Sequence, residues 1–352
     1  MQIFGRLVNV CLTIAGRYRM LSIRIEKEES MQTIRWGMIG CGAVTEQKSG
    51  PAFQKILGSS LVAVMSRNGE HAADYAKRHG VPRWYDDASR LIQDPGVDAI
   101  YIATPPNAHL DYTIQAARAG KPVYVEKPMG FSFEHSRQMV AFCKEAGVPL
   151  FSAYYRRALP KFMQVKKMLA DGTIGTVRAV TVLLYQRPIG DDLNGSSWRV
   201  KPEIAGGGRF HDVGCHTLDL LDWYFGPIVE AKGISGRQEN DYQAEDIVSG
   251  SWKFAGGVQG TGVWVFNAWS DHDRVEVIGT KGNLSFSVQD LEAPIEIVSE
   301  GESRTVGVPE PPQHVALPLI QTIIETLQGK GTCPSTGESA MRTDWVMSQL
   351  TN

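Results

Sequence analysis

The sequence predicts an α/β protein. Its N-terminal part is expected to be a doubly wound parallel sheet, and its C-terminal part an α+β domain with a mainly antiparallel, open sheet. The chain has 352 residues, which is more than one ordinary hydrophobic core accommodates. Strand-like and helix-like segments alternate in the first half, as they do in βαβ units. Apolar and polar residues alternate in the second half, as in strands with one face in water.

The first predicted element is the buried strand Ile34–Ile39, which is apolar and opens onto Gly-Cys-Gly. Alternating elements follow it, with strands at 61–65, 97–103 and 122–125 and helices at 70–79, 110–119 and 132–146. Gly120 and Gly147 end the last two helices. Because parallel strands need helical crossovers of this kind, the spacing predicts one parallel sheet.

The second half is predicted from a different rhythm, with strands at 176–185, 247–254, 258–266 and 274–278. Gly256-Gly257 and the segment 281–283 supply hairpin turns between them. One helix at 214–224 interrupts these strands, and two more close the chain. The boundary between the halves is expected near residue 153, which gives domains at 31–153 and 154–352.

Composition excludes several classes of protein. Lys and Arg total 36 against 38 Asp and Glu, a formal charge of -2 without the basic footprint of a nucleic-acid-binding protein. No apolar run approaches the roughly 20 residues that span a bilayer. The five cysteines include no C-x-x-C pair, which argues against a disulfide framework and favours a reducing compartment. We therefore expect a cytoplasmic protein without nucleic-acid or membrane partners.

The first thirty residues differ from the rest of the chain. Four arginines precede the first acidic residue, Glu26, and an apolar run occupies residues 7–16. This run is about as long as a secretory h-region, and the Arg-rich, acid-poor character is also typical of transit peptides. We favour a non-native or mis-started extension instead, because Met31 begins a segment that enters a strong strand directly. Residues 1–30 are thus expected to lie outside the fold.

The segment that follows the first strand suits a dinucleotide. Gly40 and Gly42 let the backbone approach a pyrophosphate, and Ala43 and Val44 lead into a helix whose amide groups point at it. Thr45 replaces the third glycine of the usual G-x-G-x-x-G fingerprint, which weakens the match. In this βαβ context, residues 31–153 are predicted to form a Rossmann dinucleotide-binding domain.

The end of the second strand bears on the choice of dinucleotide. Where folds that prefer NAD place an acid for the ribose 2′-hydroxyl, this chain has Ser66 and Arg67. A guanidinium beside a hydroxyl suits a 2′-phosphate, whereas a carboxylate would repel it, so NADP is favoured over NAD. The alternatives are that Arg67 is a solvated loop charge or that it stacks on the adenine of NAD.

Two further polar segments follow strands at the edge where a doubly wound sheet binds ligands. They are the segment with Thr104, Pro105, Asn107 and His109, and the triplet Glu126-Lys127-Pro128. A lysine at this place can donate to a substrate oxygen and stabilise developing alkoxide charge. By itself, however, Glu126-Lys127 is more often a surface ion pair.

A third segment places a triple glycine, 206–208, ahead of Asp212 and His216. Four residues apart on a helix, these two side chains share one face, and a carboxylate beside an imidazole suits a general acid/base. The same pair could bind a metal, or His216 could be a hydrogen-bonded core histidine. We predict no metal, because no third ligand occurs at metal-site spacing. Asp219 is assigned to the helix or to a structural contact, and the triple glycine to backbone that lies against a ligand.

Together these segments resemble the glucose–fructose oxidoreductase, inositol dehydrogenase and rhizopine catabolism (Gfo/Idh/MocA) family. The resemblance runs from about Ile34 to the C-terminus. Its motifs are Gly-Cys-Gly, Ala-Thr-Pro ahead of Asn107, Glu-Lys-Pro, and Gly-Gly-Gly ahead of Asp212 and His216. The resemblance implies a Rossmann domain followed by a domain whose open sheet faces the active site and mediates a homo-oligomer, either a dimer or a tetramer.

The resemblance also implies roles for individual residues. Lys127 would lie beside the nicotinamide and polarise the reacting oxygen, His216 would exchange the proton, and Asp212 would support His216 or touch substrate. Cofactor-lining positions are matched by Thr104, Pro105, Asn107, His109 and Glu126. The substrate pocket is expected to include Tyr155, Arg156, Arg157, Trp198 and Arg199.

The implied activity is NAD(P)-dependent hydride transfer between the nicotinamide and a sugar, a polyol or a related keto compound. Trp198-Arg199 ahead of the glycines, together with Ser66-Arg67, is similar to the NADP-dependent 1,5-anhydro-fructose reductase branch. One alternative is a non-catalytic dinucleotide sensor with a protein partner, which has no chemical need for both Lys127 and His216. The other is a glycosidase-like member that keeps NAD bound and oxidises its substrate transiently.

Overall fold

The computed structural model describes residues 7–14, 17–24, 33–238 and 242–351. The chain divides into two compact units, Met1–Thr33 and Ile34–Asn352. In the first, strand β1 (Leu7–Ile14) pairs antiparallel with β2 (Arg17–Arg24). The prediction that residues 1–30 lie outside the fold falls partly on residues 1–6, 15–16 and 25–30, which are outside the described residues, and it stays a prediction.

Six parallel strands form the first sheet of the larger unit, in the spatial order β5-β4-β3-β6-β7-β8. They are β3 (Ile34–Ile39), β4 (Ser59–Met65), β5 (Arg83–Tyr85), β6 (Ala99–Ile102), β7 (Val123–Val125) and β8 (Leu150–Ser152). The strand order reverses between β3 and β6. Ligands of doubly wound sheets bind in the crevice outside the carboxyl ends of the strands at this reversal.

Helices connect these strands: α1 (Gly50–Lys55), α2 (Gly69–His79), α3 (Ala88–Gln93), α4 (His109–Arg118) and α5 (Phe133–Glu145). Asn68, Asp87 and Ser132 cap α2, α3 and α5, because each side chain accepts a hydrogen bond from a backbone amide of the first turn. Strands β6 and β7 are buried along their whole length, as expected for a sheet covered on both faces. The predicted parallel sheet is confirmed.

Eight strands form the second sheet, in the order β10-β11-β12-β9-β13-β14-β15-β16. They are β9 (Val177–Tyr185), β10 (Ile228–Gly236), β11 (Ile247–Phe254), β12 (Gln259–Val265), β13 (His272–Gly279), β14 (Gly282–Phe286), β15 (Ile295–Ser299) and β16 (Glu302–Val306). Only the pairing of β9 with β12 is parallel among these described strands. The mainly antiparallel sheet is therefore confirmed.

Six helices accompany the second sheet: α6 (Pro160–Ala170), α7 (Gly190–Leu193), α8 (Pro202–Ala205), α9 (Cys215–Phe225), α10 (Leu317–Leu327) and α11 (Gly337–Thr351). Helix α9 and the last two helices were predicted from the sequence, whereas α6, α7 and α8 were not. Helix α6 begins with Pro160 in its first turn, where a proline is tolerated. Helix α11 packs against α5 and α9 and against β10, so it contacts both sheets. The domain boundary near residue 153 stays a prediction, since Ile34–Asn352 is one compact unit.

Candidate active site

The loop after β3 leaves open space above its second glycine. Gly40 has φ +104°, and a Cβ there would lie 2.6 Å from the carbonyl oxygen of Ala103, so this turn needs glycine. A Cβ on Gly42 would meet nothing within 4 Å. Ala43 and Val44 follow, and Thr45 and Glu46 donate backbone hydrogen bonds to the Gly42 carbonyl. The loop can therefore accept a phosphate group close to its backbone.

Thr45 occupies the third position of the fingerprint, and its side chain points into the protein interior rather than into the space that would receive the phosphate. Its side chain is fully buried, and its Oγ1 donates to the carbonyl oxygen of Gly42 over 2.8 Å. The Tyr75 hydroxyl donates to the carbonyl oxygen of Thr45 over 2.9 Å. The replacement of glycine by threonine is accommodated by these two contacts, so it does not count against a dinucleotide.

At the end of β4, Arg67 is exposed and its side chain forms no hydrogen bond or ion pair within the described ranges. Its neighbours are used locally: the Ser66 Oγ accepts from the Asn68 amide over 3.4 Å, and the Asn68 Oδ1 caps α2. The guanidinium thus has no protein partner among the described residues, which fits a ligand contact and a solvated loop charge equally.

His109 has a different role from the one expected. Its imidazole is fully buried, so it has no surface to offer a cofactor. Its Nε2 lies 2.8 Å from the carbonyl oxygen of Thr104, and its Nδ1 lies 3.0 Å from that of Met129. Burial lowers its pKa, although the backbone hydrogen bonds favour the charged form. His109 holds the loops after β6 and β7 together, whereas Pro105 is partly accessible and Asn107 is exposed.

Lys127 follows β7 and is fixed by a residue that lies 85 positions later in the chain. Its Nζ donates to the carbonyl oxygen of Asp212 over 2.8 Å and to Oδ1 of the same residue over 2.6 Å. Burial alone would lower the pKa of the ammonium, but Asp212 outweighs burial and raises it. Glu126 accepts from the Tyr101 hydroxyl over 2.7 Å, and burial raises its pKa. Lys127 is therefore not part of a surface ion pair.

Asp212 is shared between cations. Its Oδ2 accepts from Nε of Arg199 over 3.0 Å and from Nη1 of Arg209 over 3.4 Å. Burial alone would raise the pKa of this carboxyl, but Lys127 and Arg199 hold it well below its usual range. Asp212 lies in a wide π-helical turn, Phe210–Gly214, that leads into α9. Turns of this kind occur frequently at functional sites.

His216 lies between two aromatic rings. Its ring centroid is 6.0 Å from that of Tyr154 and 5.5 Å from that of Tyr155, both in edge-to-face geometry. Only 5% of the residue is exposed, and its buried Nδ1 has no hydrogen-bond partner. Burial, followed by the positive charges of Arg156 and Lys127, lowers its pKa well below the usual value, so the imidazole is neutral.

The expected support of His216 by Asp212 is wrong. No hydrogen bond joins the two side chains in the part of the chain that the structure describes, although they are four residues apart. The Asp212 carboxylate instead binds charged donors, which are stronger partners than a neutral imidazole. The Nδ1 of His216 is one of several buried polar side-chain atoms without a partner among the described residues, so its imidazole is not engaged by Asp212.

Among the expected substrate residues, Arg156 is already occupied. It donates to the Val288 carbonyl over 3.0 Å, to the Tyr155 hydroxyl over 3.1 Å and to Oε1 of Gln289 over 3.1 Å. These bonds use three of its five N–H donors, and only 5% of the residue is exposed, so its assignment to the substrate pocket is corrected to a residue that positions Tyr155.

Arg157 is also structural rather than part of a pocket. It forms a buried ion pair with Asp219, at 2.7 Å, which confirms a structural contact for that carboxylate. Arg199, in contrast, does lie at the site. Its guanidinium stacks over the Trp198 ring at 4.6 Å and reaches Asp212.

The triple glycine contacts protein, not ligand space. A Cβ on Gly206, which has φ +84°, would lie 2.1 Å from the Phe131 carbonyl oxygen. A Cβ on Gly208 would lie 2.5 Å from the carbonyl oxygen of Glu245. The expectation that this backbone lies against a ligand is wrong, since close packing against other backbone already requires glycine there.

Several site residues were missed from the sequence. Arg209 pairs with both Asp192 and Asp212, and its place between the triple glycine and Asp212 could have identified it. Lys48 has its Nζ 5.9 Å from the centre of the Tyr155 ring, and no motif singles it out. Tyr154, against His216, is equally without a sequence signal.

The described residues contain no group of three or more His, Cys, Asp or Glu side chains placed to hold a metal ion. None of the described helices combines the length and the hydropathy that crossing a bilayer requires.

Comparison with known proteins places this site in a family context. Residues 34–154 match the model of an oxidoreductase family with an NAD-binding Rossmann fold. Residues 162–285 match that of the GFO/IDH/MocA C-terminal domain. An oxidoreductase of Formosa agariphila is 39% identical over 316 residues, which cover 89% of this chain and 97% of the relative.

Two more comparisons agree with this family. A 1,5-anhydro-D-fructose reductase of Ensifer adhaerens is 30% identical over 87% of this chain and 92% of its own. The structure of a levoglucosan dehydrogenase in complex with NADH and levoglucosan has the same fold, with a TM-score of 0.81 at 21% identity over 91% of this chain and 96% of that one. The expected enzyme class, an oxidoreductase acting on CH–OH groups, is confirmed. The chain belongs to the Gfo/Idh/MocA family of NAD-binding oxidoreductases.

Proposed function

We propose that the chain is an NAD(P)-dependent dehydrogenase or reductase that transfers hydride between the nicotinamide and a sugar or polyol carbon. The observation that carries the proposal is the pairing of a fixed ammonium with an unpartnered base. Lys127 is held by Asp212, and His216 is neutral with its Nδ1 unpaired. The similarity to a 1,5-anhydro-D-fructose reductase supports a sugar-like substrate.

In this proposal Lys127 and His216 have separate roles at the substrate oxygen: Lys127 stabilises its negative charge, and His216 exchanges its proton. When bound, the nicotinamide accepts hydride in alcohol oxidation and returns it in reduction. Lys127 stays protonated because Asp212 raises its pKa, so it can place positive charge at the oxygen in either direction. Neutral His216 takes the hydroxyl proton during oxidation. During reduction the imidazole must first take up a proton from solvent, and it then gives that proton to the alkoxide oxygen.

The residues of the first sheet fit a nicotinamide dinucleotide. The open space at Gly42 would receive the pyrophosphate, with Gly40, Ala43 and Val44 shaping the loop. The remaining cofactor contacts are assigned to Ser66, Arg67, Thr104, Pro105, Asn107 and Glu126. We propose NADP as the preferred cofactor, because the exposed, unpaired Arg67 guanidinium suits a 2′-phosphate.

The experiment that tests the activity is a spectrophotometric panel. Purified protein is mixed with NADP or NAD and a set of polyols, aldoses and glycosides, and the absorbance of reduced nicotinamide is followed. We expect net cofactor reduction with at least one polyol or aldose. Sugar release from a glycoside without net reduction would contradict a dehydrogenase and favour a glycosidase-like member. Cofactor binding without either reaction would favour a sensor.

We further propose that the open face of the second sheet forms the interface of a homo-dimer or tetramer. A shallow cavity of about 650 Å³ lies on it, lined by residues of β9, β10, β11 and β12. Ile234 shares this face with Lys232, since side chains two apart in a strand point the same way, and 76% of it is exposed. Sedimentation velocity should show an oligomer that Ile234→Glu dissociates and that Leu57→Glu, at a 79% exposed site outside the sheet, leaves intact. A monomeric parent chain would refute this interface.

A further inference from the structure

The groups around Lys127 and His216 carry more positive than negative charge. Five cations contact either Asp212 or Tyr155, which packs against His216: Lys48, Lys127, Arg156, Arg199 and Arg209. The carboxylates among them are Glu126, Asp192 and Asp212. Because Asp212 is shared by three of the cations, the carboxylates do not neutralise the set.

Arg199 is the cation best placed to bind something else. Only its Nε is used by a side chain, over 3.0 Å to Oδ2 of Asp212. Its Nη1 and Nη2 donate no hydrogen bond within residues 33–238 and 242–351, and one third of the side chain is exposed. The ion pair with Asp212 and the Trp198 ring, whose centre lies 4.6 Å from the guanidinium carbon, hold the guanidinium from two sides. A fixed guanidinium with free donors matches the geometry of a carboxylate or phosphate group.

Lys48 adds a second uncompensated charge. It is exposed, and its ammonium forms no ion pair with any described residue. It lies 5.9 Å from the centre of the Tyr155 ring, which in turn packs against His216. Together with Lys127 and Arg156, it is among the charges that lower the pKa of His216. All three of these charges are positive.

A neutral sugar would not satisfy these groups. On binding, it would remove water from Arg199 and Lys48 and give back only uncharged acceptors. Asp212 pairs with only one donor of Arg199, and Lys48 has no ion-pair partner among the described residues, so removing water from their free donors is costly. An anionic substituent on the substrate would instead be attracted by the net positive potential and would pair with the free guanidinium edge.

We infer that the substrate of this site is an anionic sugar derivative, a sugar acid or a sugar phosphate, whose charged group binds Arg199 with Lys48 as an electrostatic support. This inference rests on the proposed function, of which it names the substrate class. The chemistry recognised is a carboxylate or phosphate oxygen beside the hydroxyl or carbonyl that reacts.

Isothermal titration calorimetry tests the inference without requiring turnover. The full chain, saturated with NADPH so that the cofactor phosphates are already bound, is titrated with matched neutral and anionic hexoses. The set pairs glucose, galactose and mannose with their uronates and 6-phosphates. We expect at least one anionic compound to bind tenfold more tightly than its neutral counterpart, which equals about 1.4 kcal/mol. Added KCl should reduce the difference. A preference for uronate or for phosphate then identifies the charged group.

Variants locate the effect. Arg199→Gln and Lys48→Gln should each reduce the ratio of anionic to neutral affinity at least fivefold. The matched control, Lys77→Gln on α2, makes the same charge change on an exposed lysine far from the site in sequence and should leave the ratio unchanged. Because the ratio is read within each variant, a general loss of structure does not imitate the result.

Three results would overturn the inference: equal affinities within twofold, no binding of any anionic compound at millimolar concentration, or a ratio that both site variants retain. If Lys48→Gln weakens NADPH binding but leaves the ratio of anionic to neutral affinity unchanged, Lys48 contacts the cofactor. That result would overturn its assignment as an electrostatic support for the substrate. The uronates and 6-phosphates are also added to the spectrophotometric panel. Tight anion binding without turnover of any of these compounds would refute the proposed activity alone, and turnover of neutral sugars alone would refute the anionic class alone.

Discussion

Replacing Asp212 by Asn tests whether this carboxylate sets the charge of Lys127. The exchange keeps an oxygen that can accept from Nζ, which now lies 2.6 Å from Oδ1. It removes the negative charge that Lys127, Arg199 and Arg209 share. The Lys127 ammonium would then be buried among positive charges without the partner that raises its pKa. We expect its pKa to fall.

The size of the fall follows from the geometry. The side chains of Lys127 and Asp212 are only 15% and 18% exposed, so water screens their interaction little. At an effective dielectric constant of about 20, unit charges roughly 4 Å apart attract each other by ~4 kcal/mol. Since 1.36 kcal/mol corresponds to one pKa unit, this attraction is worth ~3 units before relaxation. Allowing for water entry and the retained hydrogen bond, we expect a fall of at least one unit.

The assay is the pH dependence of kcat/KM for alcohol oxidation, in which His216 must be neutral and therefore gives the acidic limb. Lys127 must be protonated to polarise the oxygen, so its deprotonation appears as the basic limb of the profile. Asp212→Asn should move that limb to lower pH by one unit or more. Asp271→Asn, which breaks the exposed pair with Arg187, serves as the control and should leave it in place. A basic limb that coincides with that of the parent protein would refute the reasoning, even if the rate itself fell.

Four further predictions follow from single contacts. Lys127→Met should lower kcat by about 10²- to 10³-fold with little change in the fluorescence-measured Kd of NADPH, because it removes a donor to the developing charge; unchanged turnover would contradict this role. Arg67→Ser should raise the KM for NADP at least tenfold and spare that for NAD, and equal changes would exclude a 2′-phosphate contact. Arg157→Met leaves Asp219 unpaired inside the protein and should cost about 3–5 kcal/mol in urea unfolding, whereas a loss below 1 kcal/mol would show that the pair is dispensable. Burial raises the pKa of Asp344 to about 7, above its value in the unfolded chain, so stability should fall as pH rises from about 4 to 7; Asp344→Asn should flatten this part of the stability profile, and an unchanged slope would contradict the assignment.

The fold was predictable where periodicity is long and regular. Strands such as β3 and β11 and helices such as α2 and α5 show their pattern over six or more residues. The three-residue strand β5 is too short to carry any period, and it exists because β4 offers a pairing edge. Its existence depends on tertiary pairing that a local pattern does not contain.

The sequence predicted which residues belong to the site but not which of their side chains pair with one another. Lys127, Asp212 and Arg199 were all singled out, and the structure brings them together. Asp212 was predicted to support His216 or to touch substrate, yet its side chain pairs with Lys127, 85 residues away, and with Arg199 and Arg209. Spacing along a helix reports which side chains share a face, whereas charge decides among all groups that the fold brings near. The burial of His109 could not be predicted from the sequence either, because it depends on groups that the fold brings near.

The edge of the first sheet has a consequence for synthesis. Ser335 donates its hydroxyl hydrogen bond to the carbonyl oxygen of Ser152 in β8, 183 residues earlier, and Phe151 pairs with Thr336. At a translation rate of about 5–20 residues per second, roughly 10 to 40 seconds pass between the synthesis of β8 and that of the segment around Ser335. An uncovered strand edge is a template for wrong pairing during this time. The nascent chain is therefore most exposed to misassembly between the completion of its first sheet and the arrival of its last helix.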